Sequence, residues 1–331
     1  MFPKLTTTLS LICSVALISG AFVVTAATIC NAESPFGPHP RPKITGISHI
    51  SVYSSDLAAT DHYYSVTIGA AREADPENSQ GKRYAINATQ FVEVLPLPGN
   101  AGVNRLDHIG WKTDNAEAMR VYLASKSWKT PARVQRFSDG SKAFRVVDPE
   151  GNQVEFVEPP ANAKAVDEPN VIGHHIIHVG FLVHSREAED KFYKDLLGFK
   201  PYWFGGMEEG KIDWVSQQTP DSHDWLEYML TSGPSGSGIP NNISQRSLGV
   251  LDHLSVGVVS VPDTYKKLAA DDRLPKPGDK TRADKQPNIG KDGKYQFNLY
   301  DPDGIRLELM NFHATDKPCC SPFTAEDPKP E

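Results

Sequence analysis

Cysteine is scarce. Of four in 331 residues, Cys13 and Cys30 fall in a leader-like stretch, and Cys319 and Cys320 are adjacent in a Pro-rich tail, where a bond between neighbours would be strained. A disulfide framework is therefore excluded as the source of stability, and a buried core has to supply it. Concentrated positive charge is lacking too: the net charge is −7, and lysine and arginine form no stripe and no cluster interleaved with aromatics, so nucleic acid is not an expected partner. No apolar run reaches the ~20 residues of a membrane-spanning helix. The longest, Leu9–Val24, follows an early lysine, Lys4, and precedes small residues that offer cleavage after Ala26 or Ala32. Residues 1–32 accordingly read as a secretory signal peptide, with the mature chain exported and without a stable membrane anchor. Ile29, where a lipobox wants a small residue, argues against a lipid on Cys30.

What the remaining chain has is repetition. HISVYSSDLAATDHYYSVTIGA from His49 returns as HVGFLVHSREAEDKFYKDLLGF from His178, with Tyr63-Tyr64 and Phe192-Tyr193 equally placed. LDHIGW around His108 answers LDHLSV around His253, and VVDPEGNQVEFVEP, containing Glu155, answers LYDPDGIRLELMNF, containing Glu308. A duplication that carries His, His and Glu at matching places is a candidate metal-site duplication, because these side chains are natural ligands of first-row divalent ions.

Each half opens on a short alternating strand and runs into an amphipathic helix, with Asp56 and Ser185 as N-caps and Gly69 and Gly198 as stops. The strands Gln90–Leu95 and Asp224–Met229 set Glu93 and Glu227 opposite their aliphatic residues. A second unit restarts at LDH, continues into a helix near Asp114–Ser125 or Pro262–Ala270, and closes with a DPxG turn feeding the strand of Glu155 or Glu308. The expected class is α+β, four β-α-β-β-β units in two pairs, with a linker near Glu158–Gly173.

FYKDLLGF after the first strand and DPDGIRLEL before the last glutamate resemble the vicinal oxygen chelate superfamily, which includes glyoxalase I, extradiol dioxygenases, fosfomycin-resistance enzymes and bleomycin-binding proteins. The resemblance implies two domains with cup-shaped mixed sheets over residues 43–158 and 173–313, a linker at 159–172 and a tail at 314–331. It places ligand positions at His49, Glu93, His108 and Glu155 in the first pair, and at His178, Glu227, His253 and Glu308 in the second. It further implies one divalent ion (Fe, Mn, Ni, Co or Zn), two if both cups work, and a small substrate chelating through two neighbouring oxygens. Glu308 and Glu227 are then the catalytic carboxylates.

Plainer readings stand beside these. A histidine at a strand start is commonly a hydrogen-bonded structural residue, and a glutamate on an alternating strand is commonly solvated. Family spacing favours the metal for His178, His253 and Glu308, while the first-half trio stands level between live and silent. Glu93 and Glu227 carry less weight: Glu93 either faces solvent or pairs with Arg145. His174 and His175 read as linker and His62 as helix surface.

A two-histidine, one-carboxylate site suits Fe(II) dioxygenation. A second carboxylate suits proton transfer beside a Lewis-acidic ion, as in an isomerase or lyase. Both halves supply that second carboxylate, which tilts the reading to a glyoxalase-like enzyme. Extradiol enzymes carry a tyrosine four residues before the turn proline and a histidine upstream; here the tyrosine position is Asn298, Tyr300 lies two residues late, and NIGKDGKYQ holds no histidine. Glutathione dependence sits poorly with export. The same residues would also serve a non-catalytic ligand-binding protein of the bleomycin-resistance kind, or a metal-stabilised scaffold. Trp203, Phe204, Trp214, Trp225 and the glycines at 205–206 and 233–238 read as pocket wall and lid, or as core and surface loop. The insertion Arg273–Lys294 reads as loop or lid, and association into a homo-oligomer stays open.

Overall fold

Strand alternation organises the computed structural model, which describes residues 39–100, 102–164, 170–231 and 251–330. The stretch expected to be a signal peptide, residues 1–32, and the 233–238 glycines lie outside the described residues. The first half contains β1 (Ile44–Ser54), β2 (Ala71–Ala74), β3 (Lys82–Ala85), β4 (Phe91–Pro96), β5 (Leu106–Thr113), β6 (Gln135–Arg136), β7 (Lys142–Val147) and β8 (Gln153–Glu158). They form one sheet in the order β2-β3-β4-β1-β5-β8-β7-β6. The second half contains β9 (His175–Val183), β10 (Lys200–Gly205), β11 (Trp214–Gln218), β12 (Trp225–Leu230), β13 (Leu251–Val258), β14 (Arg282–Ala283), β15 (Asn288–Ile289), β16 (Tyr295–Tyr300) and β17 (Arg306–Asn311). Their order, β10-β11-β12-β9-β13-β17-β16-β14, repeats the first, with β15 added against β16. The opening strands of paired units, β1 with β5 and β9 with β13, lie antiparallel at the centre; β4 and β12, and β8 and β17, flank them in parallel. The result is a mixed α+β fold with two curled sheets.

The period of two decides which face is core. On β17, Leu307 and Leu309 are wholly buried in the main hydrophobic cluster, whereas Arg306, Glu308 and Met310 line the opposite, concave face. On β12, Leu226 and Tyr228 face the core, and Trp225, Glu227 and Met229 do not.

The helices start where their caps predict. Asp56 accepts from Ala59 N at the head of α1 (Leu57–His62), and Ser185 from Ala188 N at the head of α3 (Arg186–Glu189). α2 (Ala116–Ser125) is capped by Asn115 and α4 (Val261–Ala270) by Ser260, each within two residues of the expected start. The lead helices do not run on as regular α-helix: they widen into π-turns, Tyr63–Thr67 after α1 and Asp190–Leu196 after α3. The two widenings match bond for bond, with Ile68 N donating to Tyr63 O and Ala70 N to Tyr64 O, then Leu197 N to Phe192 O and Phe199 N to Tyr193 O.

The halves interlock. Tyr193 meets Trp111 and Phe199 edge-on, Phe192 packs on Trp128, and Tyr122 OH donates to Leu196 O at 2.7 Å, so the third unit's helix rests on the second unit. Arg273 reaches back to Thr67 O at 2.8 Å. At the pseudo-twofold centre, Gln90 donates to Ile47 O and Ile176 O and accepts from Ile176 N. Asp224, its repeat partner, accepts from Ile47 N and contacts His175 Nε2 at 2.7 Å. His175 is therefore a buried strand residue, not the linker position expected of it.

The tail straps the second half. Lys294, wholly buried, donates to Phe312 O (2.9 Å), Tyr202 OH (3.0 Å) and Asp327 Oδ1 (2.8 Å), while Phe323 stacks near Tyr202. Cys319 and Cys320 are bonded to each other.

Candidate metal centre

Four neighbouring central strands each deliver one donor to the second cup: Glu227 on β12, His178 on β9, His253 on β13 and Glu308 on β17. His178 Nε2 and His253 Nε2 stand 2.7 Å apart. Glu308 Oε2 is 3.3 Å from the first and 3.8 Å from the second, and Glu227 Oε2 is 3.6 Å from His253 Nε2. Two contacts set the rings. Trp225 stacks on His178 with centroids 4.4 Å apart, and His253 lies so close over Gly180 that a Cβ there would be 2.2 Å from its Cε1.

Protonation suits ligation. Burial, against the opposing bond to Glu308, pulls His178 down to about 4, leaving a neutral imidazole near pH 7. Burial works against ionised Glu308, but the bond to His178 and the nearby His253 hold it at about 2. Arg306 Nη2 lies 2.7 Å from His253 Nδ1, the ring nitrogen turned away from His178. Two imidazoles and two carboxylates without a thiolate form a donor set for a first-row divalent ion, and Glu308, buried and charged, is costly without a counter-charge.

The cup opens to a cavity of about 350 Å³. Trp203, Met207, Trp214, Met229, Ile289 and Met310 give it apolar walls, and Lys291, Asp292, Gln296 and Arg306 supply polar edges. Trp203 and Trp214 are thus pocket wall, Trp225 backs His178, and Phe204 is exposed instead. The end of the 273–294 insertion forms part of the rim.

The first cup assembles the same trio. His49 Nε2 and His108 Nε2 are 2.7 Å apart, with Glu155 Oε2 3.6 Å from each. Phe91 stacks on His49 as Trp225 does on His178, at 4.5 Å. Its surroundings differ. Arg145 binds Glu155 Oε1 (3.1 Å), Asp107 Oδ2 (3.0 Å) and Glu77, with Nη2 3.3 Å from His108 Nε2. Asp107 Oδ2 lies 2.6 Å from His108 Nδ1. Burial opposes charge on His108, yet its bonds to Asp107 and Glu155 raise it to about 9. Glu155 is held well below the usual carboxylate range, since its bond to His108 and the charges around it outweigh burial. Glu93 sits 4.0 Å from His108 Nδ1, and burial with Asp75 nearby raises it to about 8, so it holds its proton. It is buried and so not solvated, and the ion pairs of Arg145 go to Glu155, Asp107 and Glu77 instead.

Sequence reasoning passed over Asp107 and gave Arg145 the wrong partner. The LDH motif was the available signal for the first, since it sets an acid beside the ligand histidine, where orienting partners belong. Nothing along the chain announced the second, because Arg145 meets Glu155 only through the β7–β8 register.

Residues 175–309 match the sequence profile of the Glyoxalase/Bleomycin resistance protein/Dioxygenase superfamily. The fold is similar to that of the Mn(II)-bound glyoxalase from Novosphingobium aromaticivorans (TM-score 0.60, 18% identity, 82% of this chain and 83% of that one). It is also similar to the 2,3-dioxygenase LapB from Pseudomonas sp. KL28 (0.60, 13%, 82% and 93%) and to homoprotocatechuate 2,3-dioxygenase from Brevibacterium fuscum in complex with 3,4-dihydroxyphenylacetate (0.56, 16%, 87% and 88%). No curated protein matches the chain.

Proposed function

We propose, for a chain whose residues 175–309 carry the Glyoxalase/Bleomycin resistance protein/Dioxygenase signature and whose two halves share that fold, that the second cup is the active site of an exported metal-dependent isomerase or lyase. The observation that carries this reading is the pair of carboxylates, Glu308 and Glu227, converging on His178 and His253 at the floor of an open cavity. His178, His253 and Glu308 would hold the ion, with Glu227 on the remaining side. Bound there, a divalent ion supplies Lewis acidity to two neighbouring substrate oxygens.

The protein's own groups do the rest. Glu227, less buried than Glu308 and steadied by Ser216 Oγ at 3.3 Å, moves the proton on the carbon next to the chelated carbonyl. The tryptophan and methionine walls exclude water and receive the apolar part of the substrate.

Ring cleavage has the likeness to two dioxygenases in its favour. Against it, among the described residues that line the cavity there is no tyrosine and no histidine outside the pair His178 and His253, and Asn298 is turned to Asp284 at 2.7 Å. Elemental analysis of the mature chain, followed by a screen of hydroxycarbonyl compounds for solvent-deuterium exchange, tests the proposal. The expected result is a near-stoichiometric ion, lost in His253→Ala, and exchange that falls at least ~100-fold in Glu227→Gln with the ion retained. Oxygen uptake with catechols instead would make the chain a dioxygenase, and failure to take up Fe(II), Mn(II), Ni(II), Co(II) or Zn(II) would leave a ligand-binding protein.

A further inference from the structure

We propose that Arg145 is the resident cation of the first cup, so that this half takes no metal ion although His49, His108 and Glu155 are assembled for one. The two cups present the same trio at nearly the same distances, so the difference lies in what faces it. On β7 Arg145 stands directly across the ladder from Glu155; the matching residue on β16, across from Glu308, is Asn298. The guanidinium spans Glu155, Asp107 and Glu77, and its Nη2 lies 3.3 Å from His108 Nε2, the nitrogen an ion would need.

A guanidinium keeps its charge at any ordinary pH, so it cannot make way by losing a proton. An ion between His49, His108 and Glu155 would face that charge at contact range, with Glu155 Oε1 and Asp107 already committed to it. Swinging Arg145 out would break three ion pairs, and its side chain is only 32% exposed. In the second cup the neutral Asn298 amide is tied to Asp284, and the guanidinium present, Arg306, meets His253 at Nδ1 instead of at the Nε2 an ion would need.

The test is ion stoichiometry on the full chain, by elemental analysis and by calorimetric titration with Mn(II) and with Ni(II). Four proteins are compared: wild type, His178→Ala/His253→Ala, Arg145→Asn, and Arg145→Asn on that double background. The expected counts are one ion, none, two and one. Retention of an ion by His178→Ala/His253→Ala overturns the inference, and so does a folded Arg145→Asn that binds no more than wild type. If Arg145→Asn does not give a cooperative melt, the double variant decides alone. The inference rests on the second cup holding the chain's ion only for the absolute counts: an ion-free wild type with one ion in Arg145→Asn would uphold it while overturning the proposed active site.

Discussion

A single hydrogen stands where most residues carry a Cβ at Gly180, and the His253 ring occupies the vacated space. In Gly180→Ala the new methyl would sit 2.2 Å from His253 Cε1, closer than any real contact, so the ring must turn. We expect metal affinity to fall about 10–100-fold without loss of any ligand, the range seen when ligand-orienting groups are removed; calorimetric titration beside a melting curve checks it, and wild-type affinity would show that the ring is free to relocate. Asp301 bears on pH. Burial outweighs the backbone N–H bond from Ile305 and lifts its carboxyl to about 7, against about 4 for an unfolded aspartate. Between those pH values the folded chain binds more protons than the unfolded one, so this group's contribution to stability falls as pH rises through the window. Asp301→Asn should flatten the decline in Tm from pH 4 to pH 8, and an unchanged slope would clear Asp301 of the effect.

At the scale of elements, one buried charge anchors the tail beside the hydrogen bonds that Ser321 and Thr324 make to the β10 backbone. Asp327→Asn leaves Lys294 buried among aromatic rings with its counter-charge gone, which we expect to cost about 3 kcal/mol, the low end for breaking a buried pair because Asp327 is partly exposed. Adding Lys294→Met should recover part of that loss in denaturant unfolding. Legibility in the sequence divides along the same lines. The strands that carry the candidate ligands were readable because a period of two separates Glu308 from Leu307 and Leu309 within one short segment, and helix starts were readable because Asp56 and Ser185 act locally. Lys294 and Arg145 were not, since each finds its partners through register or tail docking across many residues. The π-turns also left no mark, because the extra residue lies between apolar positions that suit either helix.

The molecule as a whole is knit across its repeat. Gln90 and Asp224 cross-bond the opening strands of both halves, and aromatic residues of the third unit's helix complete the core of the second. One calorimetric transition is therefore expected, with van't Hoff and calorimetric enthalpies equal; two resolved transitions would mean that the halves fold independently. The matched π-turns have a packing consequence: Tyr63 to Ile68 and Phe192 to Leu197 close the same widened ring. Each widening turns the end of its helix inward, so that Ile68 and Ala70 in one half, and Leu197 and Phe199 in the other, are buried where a regular helix would have carried its next residues past the core.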